Sequence, residues 1–112
     1  HYSVTPGFCT VNYPRLISLF KNNNHEKPLV MAPFNLAGYQ MSPSKKKCEE
    51  ALNSFSADVI AMSTLASGYV RPDDAYQYLY SLPNIKSTVV GVSSKAHAIE
   101  TFQAIKKYSK ND

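Results

Sequence analysis

This sequence predicts an α/β fold, a parallel sheet of βα units, on three observations. Three short apolar runs begin at Leu29, Val59 and Thr88, and their spacing of about 30 residues is the length of one βα unit. None of the runs alternates polar with apolar, which fits strands covered on both faces, as in parallel sheets. The intervals between them carry apolar residues at helical spacing, one stripe per helix, as expected of helices that pack one face on a sheet.

The elements follow in order. Tyr13, Leu16, Ile17 and Phe20 are spaced i, i+3, i+4, i+7 and set the first helix. Leu29, Val30, Met31 and Ala32 form the first strand. Cys48, Ala51, Leu52 and Phe55 repeat the helical spacing, with Ser42 and Pro43 ahead of them as a start signal. Val59, Ile60, Ala61 and Met62 form the second strand. Arg71, Pro72, Asp73 and Asp74 open the third helix. The proline suits its first turn, and the acids suit the positive end of its dipole. The stripe of that helix is Ala75, Tyr78, Leu79 and Leu82, and Pro83 with Asn84 stops it. Thr88, Val89, Val90, Gly91 and Val92 form the third strand. Ala98, Ile99, Phe102 and Ile105 share one side of the last helix, with Lys106 and Lys107 in its last turn. The order α-β-α-β-α-β-α implies right-handed crossovers. No linker divides the chain, so residues 1–112 read as a single segment, a helix followed by three βα units, and not as a complete domain.

Three parallel strands with helices on one face leave the other face bare. In a (β/α)8 TIM barrel that face is the interior, filled by strands from the rest of the molecule. The chain has 112 residues, whereas a whole barrel takes about 200–250. A doubly wound sheet is the competitor, and its dinucleotide-binding form carries a G-x-G-x-x-G turn after the first strand. The glycines Gly7, Gly38, Gly68 and Gly91 do not form that turn. The expectation is a segment of a barrel whose inner face is covered by another copy, giving a homo-oligomer, or by a missing N-terminal part of the barrel.

Composition narrows the function classes. Hydrophobic residues at 44% and charged residues at 18% describe globular material. No apolar run approaches the roughly 18–20 residues that span a bilayer, so no membrane partner is expected. The first residues lack the pattern of a signal peptide, and the start at His1 without Met reads as a processed, tagged or cleaved chain. Cys9 and Cys48 have no metal-ligand spacing and are too few for a disulfide scaffold, which reads as a cytoplasmic protein with reduced thiols. The net charge is +4, but Lys45, Lys46, Lys47, Lys106, Lys107 and Lys110 read as solvated helix faces without interleaved aromatics. Nucleic acid is therefore not the expected partner. His1, His25 and His97 are not spaced as ligands on one element, so no metal is expected, and His97 should be exposed. Asp58 precedes a strand, at the barrel end devoted to stability. Asp73 and Asp74 serve the helix start, and neither reads as catalytic.

Two loops read as candidate ligand sites from their position alone. Gly91, Ser93, Ser94 and Lys95 join a strand to a helix N-terminus, where free N–H groups and the dipole attract phosphate. Barrels often place a phosphate site after strands seven and eight. The plainer reading is that Ser94 caps the helix, Gly91 permits tight packing and Lys95 is solvated. Asn35, Tyr39 and Gln40 follow the first strand, where polar side chains can reach a substrate, though they also suit an ordinary loop.

Residues 59–102 resemble the C-terminal part of the aldo-keto reductase family of (β/α)8 barrels. Ile60, Ala61, Met62, Ser63, Thr64, Leu65, Ala66, Ser67 and Gly68 are similar to that family's penultimate strand and its Ser-Pro-Leu-x-x-Gly loop. Residues 75–85 resemble its helix with a leucine-proline-asparagine stop. Residues 89–101 resemble its last strand and following helix. The resemblance implies the C-terminal segment of a TIM barrel and an oxidoreductase activity with NADP as cofactor. It implies that Ser63, Leu65, Ser67 and Gly68 approach the cofactor's pyrophosphate. The sequence departs from the family at Thr64, which replaces a proline. It departs again at Ala96 and Thr101, which replace a glutamate and an asparagine at the adenine end. The family's catalytic residues come from earlier strands and have no counterparts here. The ligand expected is thus a phosphate-bearing small molecule. The alternatives are a non-catalytic binding or assembly protein derived from such a barrel, and an unrelated barrel aldolase or isomerase.

Overall fold

A computed structural model describes residues 3–23 and 27–109. His1, His25 and Lys110 lie outside the described residues. The fold is α/β, a four-stranded parallel sheet of βα units. Its elements are β1 (Phe8–Cys9), α1 (Tyr13–Asn23), β2 (Leu29–Pro33), α2 (Lys45–Ser54), β3 (Asp58–Met62), α3 (Pro72–Leu79), β4 (Ile85–Thr88) and α4 (Lys95–Tyr108). A 3-10 turn, Ala66–Gly68, lies between β3 and α3.

The strands lie in sequence order, β1-β2-β3-β4, each beside its predecessor. Right-handed crossovers in that order put every helix on one side of the sheet. Register assigns the rows. Phe8 sits beside Val30, Val30 beside Val59, and Val59 beside Ile85. In the next row on that side, Ala32 sits beside Ala61 and Ala61 beside Thr88. Val30, Ala32, Val59 and Ala61 are buried in one core with Tyr13, Ile17, Leu52, Tyr76 and Leu79 from the helices. Tyr13 meets Phe34 edge-on, with ring centroids 5.4 Å apart. The opposite row runs Cys9, Met31, Ile60, Ser87. Cys9 and Ser87 are exposed, and Met31 and Ile60 are half-buried. The body is flat, 45 × 35 × 25 Å, as one sheet layer under one helix layer requires.

Two strands differ from expectation. β1 adds a two-residue strand that no apolar run announces. The last strand is Ile85–Thr88 and not residues 88–92. As an edge strand it exposes Lys86 and Ser87, so it lacks the continuous apolar run that marks a strand covered on both faces. The ladder persists only to Val89, whose N–H donates to Ala61 O at 3.0 Å.

The helix termini follow local chemistry. Ser44 caps α2 by accepting from Lys47 N at 3.1 Å, and Ser94 caps α4 by accepting from His97 N at 3.1 Å. Replacing either serine with alanine should cost about 1 kcal/mol, read as a lower urea midpoint with an unchanged slope. Pro72 opens α3 as expected, but the helix ends at Leu79, and Leu82 lies in a following turn. The phase of α4 also differs. Thr101 and Ala104 are buried, while Ile99 and Phe102 are exposed. The small Ala104 and Thr101 allow close approach to the layer beneath, which a row of Ile99 and Phe102 would block. Lys107 Nζ and the Tyr108 hydroxyl then bond Asp73 of α3 at 3.2 and 3.0 Å.

Candidate functional site

The C-terminal ends of β2, β3 and β4 lie side by side because the sheet is parallel, so the loops after them share one rim. Two of these loops depart from ordinary backbone geometry. Gln40 after β2 has φ 58, and Ser63, Ala66 and Ser67 after β3 have φ 55, 51 and 57. Left-handed backbone costs roughly 1–2 kcal/mol for a residue with a Cβ. Only surrounding structure holds it, and such residues gather at functional sites.

Each loop shows what holds it. Asn35 is buried, and its amide closes the β2 loop. Asn35 Nδ2 donates to Tyr39 O at 2.8 Å, and Tyr39 N donates to Asn35 Oδ1 at 2.8 Å. Gly38, at φ 79, completes the turn, with Met41 N donating to its carbonyl at 3.2 Å. This wrap projects Gln40 toward the neighbouring loop. The Ser63 hydroxyl donates to Gln40 Oε1 at 3.4 Å, which joins the two loops.

The β3 loop is anchored from below. Thr64 is buried, and its hydroxyl shares a hydrogen bond of 2.7 Å with the Tyr76 hydroxyl of α3. Burial raises the pKa of that phenol above the usual tyrosine value. Thr64 thus supplies a buried polar tie between this loop and α3. Leu65 packs against the core, and Ser67 and Gly68 turn the chain over the rim.

The third loop is open. Gly91, Ser93 and Lys95 are exposed, and Ser94 serves as the α4 cap. Gly91 packs against nothing, since a Cβ built there meets no atom within 4 Å. His97, expected at the surface, is half-buried. Its Nδ1 and the Thr101 hydroxyl one turn later are buried with no hydrogen-bond partner among the described residues. Thr101 is 0% exposed.

Thus Gln40 and Ser63 meet across the rim, Ser67 and Gly68 lie further along the loop of Ser63 and Ser93 and Lys95 on the loop after β4, while Asn35 is consumed in shaping its own turn. Sequence reasoning missed Thr64 and Tyr76 as the anchor. Their side chains are 12 positions apart in the chain, and no spacing rule connects a loop threonine to a helix tyrosine.

A hollow of about 380 Å³ beside the rim is lined by Val11, Gly38, Gln40, Met41, Ser42 and Pro43. A larger apolar groove of about 940 Å³ lies at the opposite end of the strands, along β1, and includes Phe8, Leu16, Pro28 and Leu29. Its only charged lining residues, Lys27 and Asp58, are paired at 3.2 Å, so it offers little polar chemistry. No cluster of His, Cys, Asp and Glu that could hold a metal occurs among the described residues. Among them no helix is long and apolar enough to cross a membrane. No family model matches the chain, and neither a curated protein nor a solved structure matches it.

Proposed function

We propose that the chain is a segment of a (β/α)8 barrel that binds a phosphate-bearing small molecule at the rim formed by the loops after β2, β3 and β4. The observation that carries this reading is the cluster of left-handed residues, Gln40, Ser63, Ala66 and Ser67, on the end of the sheet where barrels place ligands. The Ser63 hydroxyl, the exposed hydroxyl of Ser93 and the ammonium of Lys95 supply the donors an anion needs. On the resemblance to aldo-keto reductases, the ligand is NADP and the whole barrel an oxidoreductase. The reacting groups then come from strands other than these.

Calorimetric titration with NADPH and with inorganic phosphate tests the reading. Binding of NADPH tighter than phosphate is expected, weakened about five- to tenfold by Ser63→Ala or Lys95→Ala, as the loss of one hydrogen bond to a charged group implies. Equal affinity for both probes would reduce the site to an anion site without a nicotinamide preference. No binding of either would remove the ligand altogether.

The second reading, a barrel-derived binding or assembly protein without cofactor, is favoured by Thr101. That position faces the adenine in the family resembled, and here it is buried. An absent response to NADPH together with a stable oligomer supports this second reading.

A further inference from the structure

We infer that the Gln40 side chain is a gate on the rim. It occupies the Ser63 hydroxyl until a ligand displaces it into the neighbouring hollow. The inference rests on the rim reading above and adds a means of control to it.

Proton count carries the argument. A serine hydroxyl has one proton to donate. The Ser63 proton goes to Gln40 Oε1 at 3.4 Å, and the rim reading requires the same proton for an anion. The two uses exclude each other, so a ligand that takes Ser63 must displace Gln40. The exchange favours the ligand. The contact to Gln40 is longer than the usual O–H···O length of about 2.8 Å. A phosphate oxygen accepts a shorter bond, roughly twice as strong as one between neutral groups.

The surroundings give the side chain two positions. Its backbone is pinned, because buried Asn35 exchanges two hydrogen bonds of 2.8 Å with Tyr39, and Gln40 follows directly at φ 58. The side chain is exposed, and Ser63 is its one hydrogen-bond partner among the described residues. Beside it lies the hollow of about 380 Å³ that Gln40 lines together with Met41, Ser42 and Pro43. That volume accommodates an amide side chain, and the exposed Ser42 offers it a hydroxyl. Side-chain torsions alone therefore separate the closed position from the open one.

Calorimetric titration of the full chain with inorganic phosphate reads the gate. Gln40→Ala should bind phosphate about two- to fivefold more tightly than the unaltered chain, the effect of removing one weak competing hydrogen bond. Gln40→Gly suits the left-handed backbone and should show the same gain, which then belongs to the lost side chain and not to altered strain. In nuclear magnetic resonance without ligand, Ser63→Ala should shift the Gln40 side-chain amide signal. Saturating the unaltered chain with phosphate should bring that amide into contact with Ser42 and Pro43. Phosphate binding that is unchanged or weaker in both Gln40 variants overturns the gate, as does a Gln40 amide signal that ignores Ser63→Ala. Phosphate binding absent from the unaltered chain and from both variants removes the rim reading and the gate with it, a result distinct from either of these.

Discussion

Replacing Tyr76 with alanine should cost about 3–5 kcal/mol, the range for an aromatic residue lost from a packed core. Tyr76 is 0% exposed, and its ring lies among the side chains of the core under β3 and β4. Tyr76→Phe keeps the ring and removes only the hydroxyl. It leaves the Thr64 hydroxyl buried without its 2.7 Å partner, at about 1–3 kcal/mol. Urea unfolding of the two variants separates the contributions. Equal losses would mean that the hydroxyl alone, not the ring, accounts for the role of Tyr76. Tyr76→Phe should also weaken ligand binding, because Thr64 is the anchor next to Ser63. Tyr76 is then a positioning residue, and a variant that loses stability while keeping full affinity would deny it that role.

The chain should lose stability steeply in alkali. Burial pushes the Cys48 thiol up to about 11, assisted by the nearby Glu49 carboxylate and opposed by a backbone hydrogen bond from Tyr13. Burial also raises Tyr13, Tyr76, Tyr78 and Tyr80, with the Glu49 carboxylate that Tyr78 bonds adding to its shift. In each case the folded pKa exceeds the unfolded one. The fold therefore favours the neutral form, and that stability is fully present below the unfolded value. For Cys48 it drains away as pH rises from 9.0 to about 11, which amounts to about 2–3 kcal/mol. The tyrosines extend the loss upward from pH 10.0. Denaturant unfolding at successive pH values, with tyrosinate absorbance recorded alongside, should show tyrosine ionisation coinciding with unfolding. Cys48→Ala should remove the earliest part of the decline. A flat stability profile through this range would contradict the burial of these groups.

The parts of the fold that sequence revealed are those where pattern and environment agree. β2 and β3 sit inside the sheet with Val30, Ala32, Val59 and Ala61 buried on the helix side and Met31 and Ile60 half-buried on the other, so the apolar runs that mark them are continuous. β1 and β4 are edges, where one flank meets solvent, and neither length nor composition sets them apart from loop. The phase of α4 was misleading because Ile99 and Phe102 are large apolar residues and yet are exposed, while Thr101 and Ala104 face inward. In the candidate site, Asn35 and Gly38 carry an ordinary turn signal, an asparagine bonding its own backbone ahead of a left-handed glycine. The backbone at Gln40, Ser63 and Ser67 carries none, since neither glutamine nor serine marks left-handed geometry. Contacts across the loops impose it, and only a three-dimensional structure displays those contacts.

The sequential order of the strands also bears on how the chain acquires its shape. Each strand bonds only to neighbours one unit away in the chain, so sheet formation demands no closure longer than one βα unit. Contacts of short sequence separation form quickly. Arrays whose modules touch only adjacent modules can nucleate at one place and grow outward. The unit joining β2 to β3 has the longest register, five residue pairs, and is the natural starting point. The sheet then extends toward both termini, and the last positions to be fixed are the two open edges.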